Sequence, residues 1–276
     1  GAQWWFAVMR HHPEIVARAI LTGVEPLNHT YDMPSHVMNA IRRIWNHLDT
    51  DPAWAPFLPP GGMEEAAEEV LTRLENGGIE IKNSDGKTKL VLGPDDFPWD
   101  YPAEIIELFH GHTEHFKDQR TLYNGAVHYA LIDSSTGVTA DRQEKLLNDP
   151  DIRYVSRRNF AKLLATADIW PSPDLGDEFR DPVQCDIPVV FIHGDWDRHT
   201  PIENTLEIAP FFPNSHTLLI ERGGHSGLRA VNKHPEVMEA LMDFAATGSM
   251  NGIPERLAVE PDLGHNKELP RIDPAA

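Results

Sequence analysis

The chain has 276 residues, 41% of them apolar, enough to bury a sizeable core. Its 43 Asp and Glu against 24 Lys and Arg give a formal net charge of −19, which argues against nucleic acid as a partner, suits solubility and is compatible with cationic substrates such as free amino termini. No apolar run of about 18 residues and no basic-then-apolar leader occurs, so no membrane segment is expected. The lone Cys185 forms no internal disulfide and leaves the compartment open, cytoplasmic or exported through a leader ahead of Gly1.

In chain order, Gly1 to Glu14 reads as a helix ending at His12 and Pro13, and Ala19 to Gly23 reads as a strand. From Pro26 to Val183 the pattern becomes mostly helical. Met33 to Leu48 and Met63 to Asn76 have helical spacing, the second with Val70, Leu71 and Leu74 on one face and a stop at Gly77 and Gly78. Ile79 to Lys82 and Leu90 to Leu92 flank Asp85 and Gly86, the signature of a hairpin. Further helices are expected over Tyr101 to Phe116, Gln119 to Ile132 and Ile152 to Ala167. Pro188 to Ile192 and His216 to Ile220 are short apolar runs expected as parallel strands. Between them, Pro201 opens a helix with Thr200 as its cap. His234 to Ala246 is a last helix, and the spaced Pro254, Pro261, Pro270 and Pro274 predict an extended tail.

The two later strands deliver side chains suited to one chemistry. The first runs into Asp195, Trp196 and Asp197, the second into Gly223, Gly224 and His225, and open α/β sheets build their sites at the carboxyl ends of strands. A neutral imidazole accepts a proton from a serine hydroxyl when a carboxylate holds its other ring nitrogen in the required tautomer, which assigns Asp197 as orienting acid and His225 as base. Asp195 is the competing acid and is read instead as a tie for the turn. Glu25, just past the strand Ala19 to Gly23, and Trp196 are candidates for lining the substrate pocket, with packing the competing reading for Trp196 and His199. Ser226 imitates part of a nucleophile motif. A nucleophile should, however, be followed by an acid and then a histidine after further strands, and downstream there is only the helix from His234 to Ala246 and the tail, where His265 has no strand to position it. His110, His112, Glu114 and His115 resemble a metal motif with Glu in place of Asp, but the helical spacing before them sets them at a helix end, and no metal is expected.

The opening residues fit the helix behind a nucleophile elbow: with Gly1 as the last glycine of GxSxG, the serine stands two residues earlier. On three pieces the chain resembles the C-terminal part of an α/β-hydrolase of the prolyl and tripeptidyl aminopeptidase-like group. These are Gly1 to Val24, Gly194 to Pro201 with its GxxDxxTP pattern, and Gly223 to His225. The resemblance implies an α/β fold with core segments over residues 1–25 and 184–248, an inserted, mostly helical cap domain over 26–183 and a tail over 249–276. It implies a serine hydrolase that releases residues from the amino terminus of peptides, without metal or organic cofactor. A small-molecule carboxylesterase acting on small esters and a non-catalytic binding module are the alternatives. Neither the serine nor the oxyanion loop lies within the sequence, so these 276 residues alone are expected to be inactive. For a substrate ammonium group the acid-rich cap offers Glu104, Glu107 and Glu114.

Overall fold

A computed structural model of the chain describes residues 1–82, 86–117, 136–155, 174–263 and 267–273. In chain order, α1 (Ala2–His11) leads to β1 (Ala19–Thr22). The helices α2 (Pro34–Leu48) and α3 (Gly62–Glu75), the hairpin β2 (Ile79–Lys82) and β3 (Thr88–Leu92), and the helices α4 (Pro102–Phe109), α5 (Ala140–Asn148) and α6 (Asp177–Arg180) follow. The chain then returns to the sheet through β4 (Val189–Gly194), α7 (Ile202–Ile208), β5 (Ser215–Glu221), α8 (Gly227–Val231), α9 (Pro235–Thr247) and β6 (Arg256–Ala258).

The main sheet has the order β1-β4-β5-β6, with every neighbouring pair parallel. Parallel pairing forces each connection to cross over the sheet, and the helices are those crossovers. β4 is buried at all six positions, as an interior parallel strand covered on both faces should be. Its alternate residues serve different cores. Val189 and Phe191 pack with Phe6 and Met9 of α1 and with Ile208 and Phe212, while Val190 and Ile192 pack with Leu218 and Ile220 of β5 and with Val237, Leu241 and Phe244 of α9. The spacing of Phe6 and Met9 on α1, and of Val237, Leu241 and Phe244 on α9, turns one stripe of each helix toward the sheet.

The residues between β1 and β4 form a third core from Met38, Ile41 and Trp45 of α2, Met63, Val70 and Leu71 of α3, Ile81 of the hairpin and Ile105 of α4. Trp196 belongs to this cluster although it follows β4. Arg42 of α2 clamps the turn Pro150–Arg153 by two bonds to Asp151, at 2.8 and 2.7 Å.

Several elements differ from the sequence expectation. The helix expected over Tyr101 to Phe116 stops at Phe109, where the amides of Gly111 and His112 turn back to the carbonyls of Leu108 and Glu107 at 3.0 and 2.8 Å and close the helix end. Thr200 does not cap α7: the helix has no side-chain cap, and the Thr200 hydroxyl is bonded to Asp197. The tail is not simply extended. Arg256–Ala258 joins the sheet as β6, with the amide of Leu219 bonded to the Glu255 carbonyl at 2.9 Å. α5, α6 and α8 lack a long apolar stripe and were not anticipated. The helix expected over Gln119 to Ile132 lies outside the described residues; that over Ile152 to Ala167 begins as a 3-10 turn and otherwise also lies outside them. Among the described residues, no helix is long and apolar enough to cross a membrane.

Candidate active site

The site forms where the ends of β4 and β5 close on each other. A Cβ on Gly194 would overlap the carbonyl oxygen of Gly223, so the close approach of these loops requires glycine there. The amide of Trp196 then bonds to the Gly223 carbonyl at 2.9 Å, and the amide of Asp195 to the Ile220 carbonyl at 3.2 Å. This backbone stitching brings Asp197, three residues past β4, against His225, four past β5.

Asp197 is 1% exposed and fully engaged. Its Oδ1 accepts from the amides of His199 and Thr200 at 2.9 and 3.0 Å. Its Oδ2 accepts from the Thr200 hydroxyl at 2.8 Å and from His225 Nδ1 at 2.9 Å. A second imidazole, that of the buried His193, lies 3.5 Å from the same oxygen through its Nε2, which is also 2.5 Å from the Thr200 carbonyl. Burial penalises the charge on Asp197, but the hydrogen bonds and positive charge of His193 and His225 outweigh it and hold the carboxyl far below the usual carboxylate range.

His225 has the complementary environment. Its side chain is 49% exposed, so one edge of the ring meets the acid and the rest faces outward. The hydrogen bond to Asp197 raises its affinity for a proton above that of an ordinary histidine; burial opposes the shift, and the charges of Asp197 and Asp32 reinforce it. The ring lies over Gly23 at the end of β1, where a Cβ would stand 2.8 Å from Cε1. His199 faces it edge-on with centroids 5.6 Å apart. Burial, followed by the charge of Arg198, lowers the His199 imidazole below its ordinary value and disfavours a second cation beside His225.

The other sequence candidates occupy distinct places. Asp195 accepts the amide of Arg222 at 2.6 Å, bracing the loop that carries His225 at a residue with φ of 63°. Glu25 is half-buried beyond the end of β1. Trp196 is 4% exposed and packs on His47 with ring centroids 5.3 Å apart, joining the acid turn to the inserted helices. Ser226 is exposed and begins α8. His110 Nε2 lies 2.8 Å from the Phe57 carbonyl, and His112 is exposed. Among the described residues no group of three or more His, Cys, Asp or Glu is arranged to hold a metal ion. Glu107 is buried and accepts the amide of Arg271 at 2.8 Å, which ties it to the tail. Sequence reasoning missed His193. For His193 a signal existed: it stands four residues before the acid at the end of a fully buried strand.

A parallel sheet flanked by crossover helices, with a buried acid and a half-exposed histidine in contact at the carboxyl ends of adjacent strands, is the arrangement of an α/β-hydrolase. Residues 148–255, which contain β4, the acid turn, β5 and the histidine loop, match the family model described as TAP-like protein, and this stretch of the chain is similar to that family. No curated protein matches the chain.

Proposed function

We propose that the chain carries the acid and the base of a serine hydrolase that removes residues from the amino terminus of peptides. The observation that carries this reading is the 2.9 Å contact between a buried, fully bonded Asp197 and a half-exposed His225. The nucleophile is a serine two residues before Gly1, on the elbow that leads into α1. In the reaction His225 Nε2 takes the serine proton as the serine oxygen bonds to the acyl carbon, and returns it to the departing amine as the C–N bond breaks. Water then repeats the cycle to release the acid. Asp197 keeps the Nδ1 proton in place and stabilises the transient imidazolium. Glu25 contributes to the pocket at the end of β1, and the inserted helices form a cap over it. Peptide specificity is supported by the TAP-like match and by an acidic chain that favours cationic substrates.

The test is turnover of an aminoacyl arylamide and its N-acetylated counterpart by the protein that includes the residues upstream of Gly1. Faster cleavage of the free-amino compound, by about tenfold or more, is expected from a charge-assisted contact to the ammonium group. Equal rates, with simple acyl esters turned over faster still, would reassign the protein as a carboxylesterase. A residue other than serine at the elbow, with neither substrate cleaved, would make it a binding module.

A further inference from the structure

β4 is apolar from Val189 to Ile192 and then places His193 at a fully buried position. An imidazole there is costly unless its ring nitrogens are bonded, and both are. Nε2 lies 2.5 Å from the Thr200 carbonyl, and Nδ1 lies 2.6 Å from the hydroxyl of Thr205, a wholly buried residue of α7. The position of the proton follows. The carbonyl only accepts, and the other group near Nε2, the Asp197 carboxylate at 3.5 Å, is ionised, so Nε2 carries the hydrogen. In the neutral ring Nδ1 then accepts, and the rotatable Thr205 hydroxyl turns to donate to it.

Thr200 is the residue on which this contact acts. Its amide donates to Asp197 Oδ1 at 3.0 Å and its hydroxyl to Oδ2 at 2.8 Å, so with the carbonyl held by His193 all three of its polar groups are engaged. The same hydroxyl oxygen lies 3.2 Å from His225 Nδ1, which itself lies 2.9 Å from Asp197 Oδ2. At 3.5 Å His193 is beyond the range of a strong hydrogen bond to the carboxylate, so its grip on Asp197 passes through Thr200. Strand β4, the acid turn and helix α7 are thus joined at one buried imidazole. Buried polar networks in which every member is satisfied hold their groups to one geometry, and here the group at the end of the network is the carboxylate that meets His225.

We propose that His193 is a positioning residue for Asp197: its Nε2–H holds the Thr200 carbonyl, so that the amide and hydroxyl of Thr200 fix both carboxylate oxygens against His225, and Thr205 selects the ring nitrogen that carries the proton. The part that Asp197 plays in turnover rests on the hydrolase reading. The geometry that His193 sets does not.

The test starts on the full chain and needs no substrate. Imidazole nitrogen shifts of the wild type should show a proton on His193 Nε2 throughout the titration of His225; a bare Nε2 would overturn the proposal. His193→Phe keeps a ring in place and removes the donor, and should abolish the low-field Nδ1–H resonance of the His225–Asp197 pair in protein that still melts cooperatively. His193→Gln, whose amide NH2 can reach the same carbonyl, should restore that resonance. A folded His193→Phe with the wild-type resonance, or a folded His193→Gln without it, would leave His193 as packing alone. If His193→Phe does not fold, the wild-type proton position and the glutamine variant decide. In the protein that includes the residues upstream of Gly1, His193→Phe should lower kcat by about tenfold or more with KM within about twofold of wild type, since a wholly buried ring touches no substrate and acts on the alignment of the acid. The expected resonances without hydrolysis of any substrate would reject the hydrolase reading alone, whereas hydrolysis with kcat and resonance unchanged in His193→Phe would reject the positioning role alone.

Discussion

Asp197 combines near-complete burial with five polar neighbours, and that combination keeps it ionised well below the usual carboxylate range and fixes its geometry. The electrostatic coupling has a definite pH window. The depressed acid contributes stability above about 3.8, lost as pH falls toward its folded value; the raised His225 contributes stability below about 6.5, lost as pH climbs through its folded value. The charged pair is thus a feature of mildly acidic solution, whereas the proposed proton transfer needs His225 neutral. In the protein that includes the nucleophile, kcat/KM should rise with pH through a midpoint above the ordinary histidine value. Asp197→Asn should lower the plateau by about 10⁴-fold, the loss known for this change in a serine protease triad, and move the midpoint to lower pH. Asp195→Asn, which weakens a brace on Arg222, should cost far less. If Asp195→Asn abolishes turnover and Asp197→Asn leaves it near wild type, the two roles are exchanged.

At the scale of elements, three strand ends converge on one imidazole. β4 supplies the acid, β5 supplies the histidine, and the end of β1 supplies Gly23, over which the ring lies. Gly23 has φ of 56°, a region in which a side chain costs about 1–2 kcal/mol, and an added Cβ would meet His225 Cε1 at 2.8 Å. Gly23→Ala should therefore lower the melting temperature modestly and displace His225 from Asp197. The displacement is the larger effect. It should appear as loss of the low-field Nδ1–H resonance of the pair and a fall in turnover of about tenfold or more, since a misplacement of about 1 Å costs up to about 10²-fold. A variant with wild-type resonance and turnover would show that the ring does not depend on this glycine.

At the scale of the molecule, the inserted helices and the sheet are joined through the acid turn. Trp196 enters the core of α2, α3 and α4, and Arg43 of α2 donates to the Asp195 carbonyl at 2.9 Å and to Glu203 at 3.3 Å. The inserted helices and the turn that carries Asp197 are thus parts of one packed unit. Trp196→Ala removes a side chain that is 4% exposed and should destabilise the protein by about 3–5 kcal/mol. Denaturant unfolding followed by fluorescence and by circular dichroism should show one coincident transition in the wild type and earlier, separated transitions in the variant. A loss of under about 1 kcal/mol, typical of surface positions, would mean that Trp196 is not part of the seam.

The sequence alone determined the strands β4 and β5, the helix that precedes β1, and the pairing of Asp197 with His225. Each rests on short-range order: apolar runs of strand length, turn residues at fixed offsets, and an acid and a histidine at successive strand ends. What it could not determine rests on contacts between distant segments. β6 is three residues held by pairing to β5, Thr200 gives up the helix cap because Asp197 accepts its hydroxyl, and Trp196 is drawn into a core whose other buried residues lie about 40 to 160 positions earlier. The polar contacts that link Glu207 to His29, His29 to Asn204 and Asn204 to Asp32 each join residues more than 170 positions apart, and these are unremarkable polar residues in their own neighbourhoods. Tertiary structure decided these features because a hydrogen bond or a buried face is fixed by whichever partner the fold brings within reach, and local spacing carries no record of that partner.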